Sequence, residues 1–254
     1  MAARPKYRRV LLKLSGEAFG REDSHALQLE SIRAIARQIA AIHRSKIQLA
    51  IVIGGGNIVR GKSLHGAGIT PVAADTMGMI ATVINGVALQ DVLESLGVDT
   101  RLQTAFPMQA VAEPYIRRRC IRHLEKGRVV ILSAGTGSPH FTTDTAAALR
   151  AREIGAEVLL KATNVDGVYS ADPKKHPDAK RLFHLTYDQV IQDKLQVMDA
   201  TAITLCREGN VPVIVFNMSV PNNIRRAIAG RNVGTYIGSS SPAEAAGLRR
   251  AGEK

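Results

Sequence analysis

Four short apolar runs in this chain each end in a loop that is rich in glycine or begins with lysine. The runs are 10–12, 51–53, 129–132 and 158–160, and their loops begin at 13, 54, 133 and 161. In open α/β sheets, ligands bind outside the carboxyl ends of the parallel strands, where such loops meet. Loops of this composition on one sheet edge predict a site that handles phosphate groups.

Strand-like and helix-like segments alternate along the chain. Strands are predicted near 8–14, 48–54, 98–104, 128–134, 157–162 and 212–217, with a weaker one near 233–237. Apolar residues recurring every three or four positions predict helices over 29–44, 76–96, 109–125, 143–154, 198–208 and 222–229. This alternation is typical of βαβ units. It predicts the α/β class, with a mainly parallel sheet covered by helices on both faces.

The composition narrows the class of partner. The chain has 254 residues and a net charge of +12, but its basic residues are dispersed. Aromatic residues make up only 4% and tryptophan is absent, so a base-stacking platform for nucleic acid is poorly supplied. Attraction of small polyanions such as nucleotides explains the charge equally well, and nucleic acid is not expected as the main partner.

The sequence predicts a cytoplasmic protein without a membrane partner. The apolar run after the basic N-terminal residues stops at Lys13, unlike a signal peptide. No uninterrupted apolar run approaches the roughly 18 residues of a membrane span. Cys120 and Cys206 lie far apart and predict two reduced thiols.

One segment matches a known phosphate-binding expression. Residues 56–63 fit the P-loop pattern G-x-x-x-x-G-K-[ST], which needs a helix that starts at its Lys-Ser pair. Gly66, Gly68 and Pro71 follow and make that helix improbable. The triple glycine at 54–56 is the stronger signal, because residues without Cβ let backbone N–H groups approach an anion. A tight turn without a ligand is the alternative.

Charged side chains stand at several loop starts. Lys13 either extends to solvent or reaches a transferring phosphoryl group, and Arg60 could clamp the same anion. Asp144 either stabilises a helix dipole or orients Lys13 and a metal-bound nucleotide. Asp75 is either the N-cap of the following helix or an acceptor for ribose hydroxyls.

The loop 135–144 is dense in Gly, Thr and Ser. Thr142 or Thr143 is either an N-cap or a phosphate contact at a helix amino end. No histidine pair and no Ser-His-Asp order stands out, so acyl transfer and metallohydrolysis lack a candidate site. Phosphoryl transfer relies on positioning and charge neutralisation instead. A phosphate-monoester acceptor, whose second pKa is about 6, would need no general base.

Five motifs in this order resemble the bacterial uridylate kinases (UMP kinases) of the amino-acid-kinase fold family. They are KLSGEA at 13–18, GGGN at 54–57 with RG at 60–61, DTMGM at 75–79, GTG at 135–137 with FTTD at 141–144, and KAT at 161–163 with VDGVY at 165–169. The resemblance runs from about Arg9 to Ile237. It implies a three-layer α/β/α sandwich in a single kinase domain, 1–254, with an acceptor half at about 8–156 and an ATP half at about 157–238. The polar tail at 239–254 is predicted to be mobile.

The resemblance also implies an activity. The ATP γ-phosphoryl group would pass to UMP, giving UDP and ADP in pyrimidine nucleotide synthesis. Mg²⁺ would be bound mainly through the ATP phosphates, without assigned protein ligands, and the enzyme would be an allosteric homohexamer. Many relatives have a glycine-rich stretch associated with GTP activation where residues 20–26 are charged here. Ser138 and His140 stand where asparagine and an aromatic residue are common.

The resemblance assigns roles to individual residues. Catalytic roles fall on Lys13, Arg60, Asp144, Lys161 and Asp199. ATP contacts fall on Lys13, Leu14, Ser15, Gly16, Gly56, Arg60, Thr163, Tyr169 and Asp172. UMP contacts fall on Gly55, Asp75, Thr136, Gly137, Ser138, Pro139, His140, Phe141, Thr142 and Thr143.

Three other hypotheses stay open on the sequence. One is a kinase of the same fold with a different phosphate or carboxylate acceptor. Another is a P-loop nucleoside-monophosphate kinase, which would depend on Lys62. The third is a nucleotide-sensing or nucleic-acid-binding module that lacks catalysis, against which Lys13, Arg60 and Asp144 argue.

Overall fold

Eleven strands and seven helices form within residues 5–20, 27–59, 68–171, 176 and 178–240, which a computed structural model describes. The strands are β1 (Arg9–Leu14), β2 (Gln48–Ile53), β3 (Thr100–Thr104), β4 (Glu113–Pro114), β5 (Val129–Ser133), β6 (Val158–Thr163), β7 (Val168–Tyr169), β8 (Arg181–Leu182), β9 (His184–Thr186), β10 (Val213–Asn217) and β11 (Gly234–Gly238). The helices are α1 (Leu29–His43), α2 (Pro71–Ser95), α3 (Arg117–Glu125), α4 (Thr143–Ile154), α5 (Tyr187–Gln192), α6 (Ala200–Glu208) and α7 (Asn223–Ile228). A 3-10 turn, Gly16–Phe19, follows β1.

Nine strands form one sheet in the order β4-β3-β5-β2-β1-β6-β10-β11-β9. Neighbouring strands are parallel except for the antiparallel pair β10–β11. The strands β7 and β8 form a separate antiparallel hairpin. The carboxyl ends of β1, β2, β5 and β6 therefore lie together, as the loop pattern predicts.

Helices cover both faces of the sheet. Alternate strand residues face opposite sides, so Leu12 and Leu11 of β1 belong to different apolar cores. The first core packs against α1, α2 and α7, and the second packs against α3, α4, α5 and α6. The predicted three-layer α/β/α sandwich is confirmed.

All seven predicted strands form, but the long second helix begins earlier than predicted. Thr70 caps α2 by accepting the Ala73 N–H at 3.3 Å, and Pro71 occupies the first turn. Proline is tolerated there because backbone N–H groups in the first turn have no partner within the helix. Pro71 therefore starts a helix instead of blocking one. The interpretation of Asp75 as an N-cap is wrong, because Asp75 lies inside α2.

The prediction of a helix over 109–125 is wrong in its first half. Residues Glu113–Pro114 pair with β3 as an edge strand, and α3 begins only at Arg117. The short elements β7, β8, β9 and α5 are not predicted by the sequence, because segments of two to six residues are too short to show a recognisable apolar periodicity.

Helix α2 is long and apolar enough to cross a membrane by length and composition, with a mean hydropathy of 1.5 over its best window. The absence of a long uninterrupted apolar run therefore does not by itself exclude a membrane-spanning helix. The core helix of a globular protein passes the same test. Val83 and Leu89 of α2 are buried in the first core, which supports that explanation.

The two cysteines are free and buried, as the sequence predicts. Burial raises the pKa of Cys120 and of Cys206 to about 12, so neither thiol is a reactive thiolate at neutral pH.

Candidate active site

Two lysines and one aspartate form a buried cluster at the carboxyl end of the central strands. Lys13 of β1 and Lys161 of β6 are register partners, so their side chains leave the sheet side by side. Asp144, in the first turn of α4, lies 2.8 Å from Lys13 Nζ and 2.5 Å from Lys161 Nζ. No more than 15% of any of the three side chains is exposed. Lys13 therefore does not extend to solvent.

Burial and neighbouring charges together shift the pKa of Asp144 and the pKa of Lys161. Burial disfavours the ionised carboxylate, but Lys13 and Lys161 outweigh burial and hold the pKa of Asp144 below its usual range. Burial lowers the pKa of Lys161, and although Asp144 opposes this, Lys13 adds to it. Two ammonium groups and one carboxylate give a net positive charge, which suits a phosphoryl group.

Asp199 ties together the amino ends of two helices. Thr142 caps α4, accepting the N–H of Asp144 and of Thr145 at 3.1 Å, and its hydroxyl donates to Asp199. Asp199 caps α6 through the Ala202 N–H at 2.9 Å and also accepts from the Thr145 hydroxyl at 2.8 Å. The predicted cap at Thr142 is confirmed. The carboxylate of Asp199 is occupied by these contacts and holds the helices in place.

The glycine loop after β2 crosses the loop after β1 with backbone against backbone. A Cβ at Gly54 would lie 2.6 Å from the Gly16 nitrogen, and a Cβ at Gly55 would lie 2.7 Å from the Gly78 oxygen. No side chain fits at either position. Close approach of the chain, rather than a tight turn alone, accounts for the glycines at 54 and 55.

Asn85 of α2 fastens this glycine loop. It is fully buried, and its amide donates to the Gly54 carbonyl at 2.7 Å and to Asn57 Oδ1 at 2.8 Å. The Asn57 amide donates back to Asn85 Oδ1 at 3.1 Å. Sequence reasoning missed Asn85; the available signal was an amide side chain surrounded by apolar residues in the helix.

A cavity of about 200 Å³ lies between the glycine loop, α2 and the loop that precedes α4. Its lining residues are Gly55, Gly56, Val59, Ala74, Asp75, Gly78, Met79, Thr82, Gly135, Ser138, Phe141 and Thr143. The Asp75 carboxylate accepts the His140 backbone N–H at 2.8 Å. Residues predicted for one ligand, the acceptor, thus lie together, and we call this space the acceptor cavity.

The rest of the predicted acceptor loop lies beside this cavity. Thr136, Gly137, Pro139, His140 and Thr142 belong to the same connection between β5 and α4 without lining the cavity. His140 has a φ of +69°, and the Thr136 hydroxyl donates to the Ser138 carbonyl at 3.1 Å. The loop is therefore folded on itself as well as on Asp75.

A second cavity, of about 540 Å³, opens beyond β6. We call it the donor cavity, and its lining residues are Lys161, Thr163, Val165, Gly167, Val168, Tyr169, Ser170, Ala171, Asp193, Lys194, Leu195, Gln196, Val197 and Val215. It includes the predicted residues Lys161, Thr163 and Tyr169. The segment 193–197, which directly follows α5, was missed because it lies far along the chain from the motif at 161–169 and carries no motif of its own.

Several predicted residues lie elsewhere. Leu14 is buried, and Ser15 and Gly16 start the 3-10 turn next to the glycine loop. Gly56, predicted as an ATP contact, lines the acceptor cavity. Arg60, Lys62, Asp172 and the segments 21–26 and 241–254 lie outside the described residues, so the predictions made for them stay predictions.

The chain is similar to known proteins along most of its length. Residues 8–217 match the model of the amino acid kinase family. The chloroplastic uridylate kinase PUMPKIN of Arabidopsis thaliana is 59% identical over 236 residues, which are 92% of this chain and 70% of that protein. The resemblance therefore extends beyond bacterial enzymes to a plant chloroplast enzyme.

Solved structures of UMP kinases superpose on this chain over most of its length. The UMP kinase of Bacillus anthracis superposes with a TM-score of 0.90 at 41% identity, covering 94% of this chain and 98% of that one. The UMP kinase of Ureaplasma parvum gives 0.87 at 37% identity, covering 92% and 100%. This chain therefore belongs to the amino acid kinase family and, within it, to the uridylate kinases.

Proposed function

We propose that this protein transfers the γ-phosphoryl group of ATP to UMP, giving UDP and ADP, as a step of pyrimidine nucleotide synthesis. The observation that carries the proposal is the buried cluster of Lys13, Asp144 and Lys161. Lys161 lines the donor cavity, and Thr143, the neighbour of Asp144, lines the acceptor cavity. The excess positive charge thus lies where a phosphoryl group would pass from one cavity to the other.

Catalysis would rest on charge that is in place before the reaction. Lys13 and Lys161 would stabilise the charge that develops on the transferring group, and Asp144 would hold both ammonium groups in position. Arg60 is proposed as a further cation on the same phosphates. Asp199 acts through the helix ends it caps, and therefore as a positioning residue.

The acceptor would need no general base. A phosphate monoester with a second pKa of about 6 is largely a dianion at neutral pH and can attack directly. Ribose hydroxyls would donate to Asp75, while Gly55 and the loop 136–143 would surround the nucleotide. Phe141 exposes half of its surface at the cavity and offers an apolar face to the pyrimidine.

ATP would occupy the donor cavity. Its phosphates would contact the residues 13–16, Gly56 and Arg60, and its adenosine part would contact Thr163, Tyr169 and Asp172. Mg²⁺ on the phosphates would neutralise further charge. Within the described residues, no three His, Cys, Asp or Glu side chains are grouped to hold a metal, and both Asp144 oxygens face ammonium groups. This fits a metal bound mainly through phosphate oxygens.

A kinase of the same fold with another acceptor is the second candidate. Ser138 lines the acceptor cavity, and Nδ1 of the His140 ring lies 3.9 Å from the Asp75 carboxylate, at positions where relatives commonly have asparagine and an aromatic residue. The test measures ADP release from Mg-ATP with UMP, CMP, AMP, GMP, aspartate and carbamate offered separately. We expect turnover with UMP alone. Turnover with a different acceptor would support the second candidate, a kinase of the same fold with another specificity. No turnover with any of the acceptors would favour a nucleotide-binding module that lacks catalysis.

The protein is also proposed to assemble with copies of itself, as a homohexamer. Helix α2 exposes a stripe of large apolar side chains, the α2 stripe: Val72, Met77, Ile80, Ile84 and Val87. These residues lie within about 140° of the helix circumference, and an uncovered stripe of this kind is typical of an interface.

A cytoplasmic location stays a proposal. The Arabidopsis relative is chloroplastic, so a plastid is the alternative. Fractionation of the source cells with an antibody to the full chain would separate the two.

A further inference from the structure

The hairpin β7–β8 lies outside the nine-stranded sheet, and its first strand, β7, forms one wall of the donor cavity. Tyr169, in β7, is half-buried and lines the cavity. Beyond Tyr169 the two arms remain joined, since the Ser170 N–H donates to the Lys180 carbonyl at 3.0 Å. The position of this wall therefore depends on how the hairpin is attached to the main sheet.

One buried hydroxyl attaches both arms of the hairpin. Thr235 of β11 is fully buried, and its Oγ1 accepts the Val168 N–H at 2.8 Å while donating to the Leu182 carbonyl. Val168 and Leu182 are register partners across the hairpin. A single side chain of the main sheet thus completes the hydrogen bonding of a pair of residues in the smaller one.

The chain before the hairpin is shaped to allow this contact. A Cβ at Gly167 would lie 2.5 Å from Thr235 Oγ1 and 3.2 Å from the Thr235 nitrogen. A glycine here lets the backbone pass directly against Thr235. Gly167 and Val168 also line the donor cavity, whereas Thr235 lies behind them and does not.

We propose that Thr235 is a positioning residue of the ATP site. By fixing β7 and β8 to β11, it holds Tyr169 and the backbone of 167–171 at the distance from β6 that closes the donor cavity. Its effect falls on the donor nucleotide and leaves the acceptor cavity, on the far side of the Lys13 cluster, unchanged. This inference rests on the proposed function for the identity of the nucleotide.

The test replaces the hydroxyl without changing the shape of the side chain. Thr235→Val leaves the Val168 N–H and the Leu182 carbonyl without their partner. We expect the Kd for ATP, measured by calorimetry on the full chain, and the KM for ATP to rise about tenfold, the scale of one lost buried hydrogen-bonding group. The KM for UMP stays within about twofold in the same assay.

Conservative variants separate the hydroxyl from the fold. Thr235→Ser restores the hydroxyl and is expected to restore ATP binding. Thr235→Cys, with a weak donor and acceptor, should fold more readily than the valine variant and show an intermediate defect. Hydrogen exchange at the Val168 amide should speed up in the order Ser, Cys, Val.

Thr100→Val is the matched control. Thr100 is fully buried, and its hydroxyl donates to the Val98 carbonyl at 2.9 Å near the opposite edge of the sheet. It should lower the melting temperature without changing the Kd for ATP. An unchanged Kd in Thr235→Val, or an equal rise in Thr100→Val, would overturn the inference. A wild-type protein that binds ATP but does not phosphorylate UMP would contradict the proposed function, and the Kd comparison would still decide the role of Thr235.

Discussion

At the scale of single residues, one carboxylate is shared by two lysines. Lys13 and Lys161 are register partners on adjacent strands, so their ammonium groups would repel each other in a buried site. Asp144 contacts both and makes their common burial possible. The lysines are thereby held in place before any phosphate arrives.

Removing one of these cations should affect the chemical step. We expect Lys13→Ala to lower kcat by at least about 100-fold, the scale for one pre-placed group that stabilises developing charge. UMP should still bind, because Lys13 does not line the acceptor cavity. Steady-state kinetics and a UMP titration check both expectations, with the exposed Lys126→Ala as the control. Near-normal turnover in Lys13→Ala would contradict the assigned role.

The pKa of Lys161 predicts an alkaline limit of activity. Burial lowers the pKa of this ammonium group, and activity requires its proton, so kcat/KM for ATP should fall as the pH rises through that value. The decline should begin below about 10.4, the ordinary value for lysine. A pH–rate profile measures it. Lys161→Arg, which does not titrate, should move the decline to higher pH, and an unmoved limb would exclude Lys161 as its source.

At the scale of elements, α2 supports the site through Asn85, whose side chain lines neither cavity. Asn85→Leu would leave the Asn57 amide and the Gly54 carbonyl unpaired in the core. We expect a loss of about 3 kcal/mol in the free energy of unfolding, since each unpaired buried group costs roughly 1–3 kcal/mol. Chemical denaturation measures the loss. Gln90→Leu on the same helix, at a half-buried position, removes two long hydrogen bonds, to Glu94 at 3.2 Å and to the Thr100 carbonyl at 3.4 Å, and should cost no more than about 1 kcal/mol. Equal losses would exclude the special role of Asn85.

The sequence predicted those parts of the fold and site whose signal is local. Strand ends, the Thr142 cap, and the positions of Lys13 and Asp144 follow from residues within a few positions of each other. Asn85 instead contacts Asn57, 28 residues away, and Thr235 contacts Val168, 67 residues away. Such contacts leave no periodicity or motif, because the partner that gives the residue its role is brought near only by the fold.

At the scale of the whole molecule, the α2 stripe predicts self-association. Ile84→Glu would place a charge in the middle of the buried face of an oligomer, where an unpaired charge is costly. We expect light scattering to give a multiple of 27.3 kDa for the wild type and a smaller species for the variant. Lys126→Ala, at an exposed position after α3 on the opposite face of the sheet, should leave the mass unchanged. A wild-type monomer at micromolar concentration would rule the interface out.

Helix α2 carries two kinds of residue within the same turns. Asp75, Gly78 and Met79 line the acceptor cavity, while Met77 and Ile80 belong to the α2 stripe. If a second subunit packs on the α2 stripe, as proposed, that contact and a nucleotide in the acceptor cavity would both act on the same helix. Any coupling between the two would be reciprocal, so assembly would change nucleotide affinity by the same factor as the nucleotide changes assembly. An acceptor titration repeated at two protein concentrations, one below and one above the dissociation constant of the assembly, is expected to give two different affinities.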